Sequence, residues 1–159
     1  MKQKELAKWL KLIVIIIALV GIIVFSKLIP DMAYSIGATD PEYGFLYYPV
    51  LIYVWISAIP FYYALFLVWK MCDDIQDNQS YSVNNIKRLK RISQLSLLEA
   101  IYYGLFPVFL GLFGAGHPGL LVIVVAIILI CLAFSIVAAI LSHLASKAHE
   151  LEEENRLVV

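Results

Sequence analysis

The sequence predicts an all-α protein that crosses a membrane four times. Its 159 residues are 62% hydrophobic and 15% charged, whereas soluble domains carry about 45–50% apolar and about 25% charged residues. The apolar residues fall into four long runs, and the charged residues collect between and beyond these runs. Because about 20 apolar residues cross a bilayer core of ~30 Å, each run predicts one transmembrane helix.

The first predicted span follows a basic arm and has few polar interruptions. Such a start also fits a cleaved signal peptide, but the apolar run is long for one and no small-x-small site follows it, which favours a retained helix. The second span has aromatic residues near both ends, as interfacial anchors do, and contains Pro60. The third contains Pro107 and Gly111 in its second half. The predicted spans are residues 10–29, 46–69, 92–113 and 120–141.

The connections differ in composition, and this difference predicts the orientation. Apart from Lys27, the lysines and arginines lie in the N-terminal arm, the central polar interval and the tail. Because basic loops stay in the cytoplasm, both termini and the central interval are expected there, in one membrane domain covering residues 1–159. The cytoplasmic segments are then 1–9, 70–91 and 142–159, and the external loops are 30–45 and 114–119.

Two cytoplasmic helices are expected to continue from spans. Ser82 is a suitable N-cap for a helix that starts at Val83 and runs into the third span. The tail is expected to continue the fourth span, since helix-forming residues and no turn signals occupy that boundary. Apolar and small residues recur along the tail at alternating spacings of three and four, which indicates a heptad-like seam. They are Leu141, Leu144, Ala148, Leu151, Asn155 and Val158.

This seam predicts a surface that needs cover, either from the central interval or from a partner protein. The acidic tail opposite a basic cluster favours packing of the two on each other, although exposed ion pairs add only ~0–1 kcal/mol each. The same basic residues can instead contact anionic lipid headgroups. The basic cluster consists of Lys87, Arg88, Lys90 and Arg91.

One carboxylate, Glu99, lies inside a predicted span, ~10 Å past its start at 1.5 Å per residue. An ionised group at that depth costs at least ~2.5 kcal/mol, so it is expected to face the helix interior or a partner. Ser96 and Tyr103 share its helical face, and Arg88 or Arg91 reaches partway towards it. A protonated or paired carboxyl that holds helices together is favoured over a proton or ligand contact.

The sequence contains no motif that indicates an enzyme, a cofactor or a metal site. There is no nucleophile elbow, no phosphate-binding glycine loop and no paired histidine and carboxylate motif. The histidines His117, His143 and His149 do not converge, and the two cysteines lack metal-ligand spacing. Four basic residues beside a membrane are typical of a topological anchor, so direct nucleic-acid binding is not expected.

Two short motifs resemble the YoaS-like family of small bacterial four-helix membrane proteins (domain of unknown function 2975). The segment Tyr81–Ile86, followed by Leu89, is similar to the pattern before that family's third helix. The ending LEEENRLVV at 151–159 is similar to its tail, although Arg156 and Val158 replace the common Asp and Thr. The glycine often found shortly before the aromatic-Ser pair is missing. The resemblance implies four helices, often a neighbouring gene for a small helix-turn-helix regulator, and no catalytic residues.

The leading hypothesis is therefore a non-enzymatic regulatory protein of the bacterial inner membrane that binds a cytoplasmic partner, expected to be a small helix-turn-helix regulator. The residues expected to contact the partner or lipid are Lys87, Arg88, Lys90, Arg91, Leu144, Ala148, Leu151 and Asn155. The alternative is a small transporter or ion-conducting homo-oligomer in which Glu99, Ser96 and Tyr103 act inside the membrane, with helices broken at Pro60 and Pro107.

Overall fold

The computed structural model describes residues 2–77, 79–116 and 118–158, and the regular structure in these ranges is entirely helical. The predicted segments 1–9, 70–91, 114–119 and 142–159 therefore lie partly outside the described residues, at Met1, Asn78, His117 and Val159. The elements are α1 (Gln3–Ile23), a π-helical turn (Val24–Leu28), α2 (Ile29–Thr39), a 3-10 helix (Pro41–Leu46), α3 (Tyr47–Gln76), α4 (Val83–Leu112) and α5 (Pro118–Leu157).

The predicted all-α membrane fold is confirmed. Within the described ranges, four helical segments are long and apolar enough to cross a membrane: Gln3–Ser35, Pro41–Gln76, Val83–Leu112 and Pro118–Leu157. Two further predictions are confirmed. The helix that starts at Val83 continues into the third span, and the fourth span continues into the tail. Ser82 caps α4 as predicted, because its Oγ accepts a hydrogen bond from the Asn85 N–H at 3.3 Å.

The prediction that residues 30–45 form a loop is wrong, because most of this segment is helical. Pro30 has no N–H to donate, and in a regular α-helix its ring would clash with the carbonyl four residues back. Instead, the π turn widens the helix just before the proline, and the Ile29 N–H donates to the Val24 carbonyl five residues back. Such an insertion lets a helix pass a proline without ending.

A tryptophan of α3 stabilises this widened turn. The Phe25 carbonyl has no backbone donor at the usual positions, because Ile29 donates to Val24 and Pro30 has no N–H. Trp55 donates its indole Nε1–H to the Phe25 carbonyl at 3.0 Å. Since an unbonded carbonyl in lipid costs several kcal/mol, this bond supplies the partner that the local backbone lacks.

The helices pack as an antiparallel row in the order α1, α3, α4, α5. Within the described residues the backbones of α1 and α5 do not approach each other, so the row is open rather than closed into a bundle. The first turns of α1 and α4, the last turns of α3 and the part of α5 around Ser142 lie at one end, which we call the basic end. There, Lys11 Nζ and Arg88 Nη1 pair with Asp73 and Asp74, both at 2.6 Å.

Candidate functional site

Glu99 is buried on α4 and has an oxygen without a partner. Its residue surface is 9% exposed, and Oε1 is the one buried side-chain polar atom among the described residues that lacks a hydrogen-bond partner. Neither predicted arginine reaches it. Arg88 binds Asp74, and Arg91 donates to the Tyr63 hydroxyl at 3.1 Å. Both arginines are therefore engaged elsewhere, and neither bonds to the Glu99 carboxyl.

Hydroxyl groups and a thiol lie in the same region of the row as the Glu99 carboxyl. Tyr103 and Ser57 join α4 to α3 through their hydroxyls, 2.7 Å apart. Ser57 donates to the Val54 carbonyl at 2.8 Å, so Tyr103 is the donor of the shared bond. Tyr103 and the α5 thiol Cys131 both lie within electrostatic range of the carboxyl. An unpaired acid in this setting can accept a proton or a hydrogen-bond donor.

The third predicted intramembrane residue, Ser96, lies one turn before Glu99 and is partly buried. Ser96, Glu99 and Tyr103 therefore lie along one side of α4, as their spacing predicted. No group of three or more His, Cys, Asp or Glu side chains capable of holding a metal occurs in the residues that the structure describes. The arrangement is a single acid among neutral hydroxyls.

Asn85 organises the connection between α3 and α4. It is 1% exposed, and its Nδ2 donates to the carbonyls of Gln79 and Ser80 at 3.3 and 3.4 Å. Its Oδ1 accepts from Arg88 Nη1 at 2.8 Å. A buried amide that is bonded on both sides fixes the path of a turn, because each lost bond would leave a buried polar group unsatisfied.

Arg88 extends the same network to the end of α3. Its Nη1 donates to Asp74 Oδ2 at 2.6 Å and to the Lys70 carbonyl at 3.3 Å. Ser82 also donates to Asp74 Oδ2, at 3.4 Å. The motif at 81–86 that resembles the family pattern therefore closes the α3–α4 hairpin. Arg88 and Arg91 make intramolecular bonds, whereas Lys87 and Lys90 are exposed.

The packed face of α5 differs from the predicted seam. Leu144 and Leu151 are 56% and 60% exposed, Ala148 is partly buried and Asn155 is exposed. The buried residues of α5 in this region are small, and they also recur at spacings of three and four. They are Ser135, Ala138, Ser142 and Ala145.

Serine hydroxyls join α4 and α5 along this small-residue face. Ser93 and Ser135 donate to each other's carbonyls at 2.8 and 2.9 Å, and Ser142 donates to the Ile86 carbonyl at 3.1 Å. Small residues let helix backbones approach closely, and hydroxyls bond across the contact. The spacing of Ser135, Ala138 and Ser142 was the sequence signal for this face. The predicted seam contained none of these three residues.

The expected packing of the tail on the basic cluster is wrong. In the described residues the ion pairs of the tail lie within α5: Arg156 with Glu152 at 4.0 Å, and His149 with Glu153 at 3.7 Å if His149 is protonated. The physical reason is register. Because Ser142 already meets Ile86 near the start of α4, the acidic residues from 150 onward lie beyond the end of that helix.

A cavity of about 580 Å³ opens at the opposite end of the row, between α2, the 3-10 helix and the ends of α4 and α5. Its lining is mainly apolar and includes Met32, Leu46, Phe106 and Leu110, with Asp40 as its charged residue. It contains none of the predicted site residues. The candidate sites of the described chain are thus the acid on α4 and the exposed tail of α5.

Comparison with known proteins gives two matches. Residues 31–159 match the family described as "Protein of unknown function (DUF2975)". The chain is 30% identical over 153 residues to the uncharacterized membrane protein YoaS of Bacillus subtilis (strain 168), an alignment that covers 95% of this chain and 96% of that protein. No solved structure matches the chain.

Proposed function

The chain belongs to the DUF2975 family, as the resemblance of its motifs implied, and we propose that it is a non-enzymatic regulatory membrane protein that holds a soluble partner. In this proposal the basic end faces the cytoplasm of a bacterial cell and the protein lies in the inner membrane. The distribution of lysine and arginine supports that orientation, since basic segments are retained in the cytoplasm.

The observation that carries the proposal is the free end of α5. The helix runs to Leu157, whereas its contact with α4 ends near Ser142 and Ala145, opposite the first turns of α4. At 1.5 Å per residue, the last residues extend roughly 15–20 Å beyond the row. The residues from 150 to 158 are exposed throughout. A helix held clear of its own protein can contact another.

The tail has the chemistry of a helical docking segment. Leu144 and Leu151 form an exposed apolar stripe, and four glutamates between 150 and 154 surround it. An amphipathic helix of this kind binds in an apolar groove of its partner, and each Å² of buried apolar surface contributes about 25 cal/mol. In this proposal the groove of the partner has a basic rim, because it must complement the four glutamates of the tail.

A basic rim agrees with a DNA-binding partner, because proteins that bind DNA neutralise phosphates with lysine and arginine. An acidic helix on such a surface competes with DNA and keeps the regulator at the membrane. The identity of the partner as a small helix-turn-helix regulator rests on the family resemblance, and the acidic tail is the structural feature that supports it.

Co-purification from bacterial membranes tests the proposal. The full chain should retain a soluble protein with a helix-turn-helix domain, identified by mass spectrometry, and deletion of residues 143–159 should release it. Leu151→Asn should weaken retention at least about tenfold if this leucine fills a groove, since truncating a central anchor costs ~2 kcal/mol or more. Leu157→Asn, the same substitution at an exposed leucine outside the stripe, is the matched control.

Two results would contradict the proposal. The first is recovery of no soluble partner from either the full chain or the truncated chain. The second is equal retention by the wild type and by Leu151→Asn, because the apolar stripe would then have no role in binding.

The unpartnered oxygen of Glu99 favours a second candidate function, a small transporter or ion-conducting homo-oligomer. Ionisable groups inside a membrane segment commonly mark a path for protons or ions. Pro60 and Pro107 lie inside α3 and α4, so the broken backbone bonds near them supply additional polar groups. Four spans are few for a transporter, and an open row of helices requires several copies to enclose a path.

Flux into proteoliposomes distinguishes the two functions. If the second candidate is right, the wild type conducts a proton or cation, and Glu99→Gln lowers the flux at least tenfold, while Leu98→Ala, at an exposed position of the same helix, leaves it unchanged. Equal flux at background level in the wild type and in Glu99→Gln would exclude this candidate and leave the docking proposal unaffected.

A further inference from the structure

A second groove lies at the basic end, between α4 and α5, and neither proposed function uses it. Its volume is about 450 Å³, within the range of ~300–1,000 Å³ for pockets that hold small ligands. Lys90 and Gln94 line it from α4, and His143 and Ser146 line it from α5. These residues come from helices that only the tertiary fold brings together.

The groove offers hydrogen-bond donors that are not used elsewhere. The side chains of Lys90, Gln94, His143 and Ser146 make no hydrogen bond or ion pair with any part of the chain that the structure describes. No carboxylate lines the groove. An ammonium group, an amide, an imidazole and a hydroxyl without a competing acid suit a phosphate group, whose oxygens accept several bonds at once.

The groove lies where the polar end of the row meets the apolar spans. Arg91 is the last basic residue before the third predicted span, and Gln94 lies in that span's first turn. His143 follows the end of the fourth predicted span at 141. The lining residues therefore bracket the boundary at which lipid phosphates lie.

Exposed apolar side chains continue the groove towards the middle of the membrane. Leu97 and Ile101 follow Gln94 along α4 at spacings of three and seven residues, and they are exposed. Ile136 precedes Ala139 of the lining by three residues on α5 and is also exposed. An acyl chain can lie along this face. A free phosphate ion would gain nothing from it.

We propose that this groove binds an anionic phospholipid, with the headgroup phosphate held by Lys90, Gln94, His143 and Ser146 and an acyl chain lying along Leu97 and Ile101. The site is independent of the proposed docking function, because neither Leu144 nor Leu151 of the docking stripe lines the groove. Glu150, one turn past Ser146 and exposed, repels a phosphate placed further from the membrane and so favours the position beside Lys90.

Native mass spectrometry of the full chain in detergent tests the site. Phosphatidylglycerol and phosphatidylcholine are titrated separately, and the wild type should retain phosphatidylglycerol at least about fivefold more tightly. Lys90→Gln should weaken that binding about fivefold, the effect expected of one cation near a membrane surface. Lys87→Gln, an exposed lysine of the same helix outside the lining, should change binding less than twofold.

A second measurement distinguishes binding of the whole lipid from binding of a phosphate group alone. Glycerol 3-phosphate at the same concentration carries the phosphate without acyl chains and should not displace the bound lipid. Displacement would show that the groove binds a free phosphate and would overturn the lipid assignment. Equal losses in Lys90→Gln and Lys87→Gln would show a general surface charge effect and would overturn the site itself.

A variant that leaves the charge unchanged guards against a folding artefact. Gln94→Leu keeps the net charge and suits a lipid-facing helix position, so it should fold and still weaken phosphatidylglycerol binding at least twofold. Unchanged binding in both Gln94→Leu and Lys90→Gln would overturn the proposal, as would equal retention of the two lipids by the wild type.

Discussion

Asn85 and Glu99 are both buried polar residues of α4, but their bonding differs. Asn85 makes hydrogen bonds through both its nitrogen and its oxygen, whereas Oε1 of Glu99 has no partner. A buried polar group that is fully bonded contributes to stability, and one that is not costs about 1–3 kcal/mol. The two residues therefore predict opposite responses to removal of the polar group.

Asn85→Ala should destabilise the protein by about 2–3 kcal/mol. It removes the hydrogen bonds to two turn carbonyls and the oxygen that accepts a hydrogen bond from Arg88. Thermal unfolding in detergent, followed by circular dichroism, measures this effect. Asn84→Ala is the matched control, because Asn84 is adjacent and exposed, and it should change stability by less than about 0.5 kcal/mol. A similar effect of both substitutions would contradict the role of Asn85.

Glu99→Met should stabilise the isolated protein by about 1–3 kcal/mol, because methionine has a similar length and needs no hydrogen-bond partner. Ser96→Ala, one turn earlier, should have little effect. The same unfolding measurement applies. A lower unfolding temperature for Glu99→Met would mean that the carboxyl has a partner in the folded protein, such as a group from a second copy.

At the scale of elements, two helix contacts depend on small residues. Along α4 and α5, serines and alanines allow the backbones to approach and bond. Between α1 and α3 the close point is Gly21, where Tyr62 donates to the Ala18 carbonyl at 3.1 Å. A Cβ at position 21 would lie 2.8 Å from the Tyr62 hydroxyl oxygen and 3.0 Å from Phe61 Cε1. Such contacts hold helices together in lipid, where apolar burial alone does not.

Gly21→Leu should destabilise the contact between α1 and α3 by about 1–3 kcal/mol, because the added side chain has no space. Gly104→Ala provides a control of opposite sign. A Cβ at Gly104 would meet nothing within 4 Å, so alanine should stabilise this helix interior by about 0.5–1 kcal/mol. Thermal unfolding of each variant tests both predictions. A Gly21→Leu protein as stable as the wild type would contradict the close approach of α1 and α3.

At the scale of the whole molecule, the chain is an open row with a helix that extends beyond it. The last residues of α5 pack on no other helix, so they contribute surface rather than stability. A chain that ends after Ala148 should therefore unfold within about 0.5 kcal/mol of the full protein, as is usual for changes at exposed sites.

A chain that ends after Leu141 provides the contrast. It lacks Ser142 and Ala145, which pack on α4, and should unfold at a clearly lower temperature. Spin labels at Arg88 and Glu152 provide an independent measurement and should report well-separated sites. Labels in contact in a partner-free sample would mean that the tail folds back onto the basic cluster.

The sequence alone determined the features that depend on local chemistry. Four apolar runs predicted four spans, and Ser82 predicted the start of α4, because hydrophobic length and capping are properties of a segment by itself. The continuity of α5 into the tail followed from the absence of turn residues. The family motif at 81–86 was also recognisable, although its role in closing the hairpin was not.

Only the tertiary structure decided which faces meet. A loop was predicted at 30–45 because its proline, glycine and aspartate residues are turn signals, whereas the bond that Trp55 supplies to the Phe25 carbonyl comes from another helix. Leu144 and Leu151 were expected to pack, but Ser135 and Ser142 do so instead. Within the spans a leucine is equally well placed against an acyl chain or a helix, and in the tail Leu151 lies beyond the start of α4, so apolarity does not mark the packed face. The contact depends on which small residues two helices bring opposite each other.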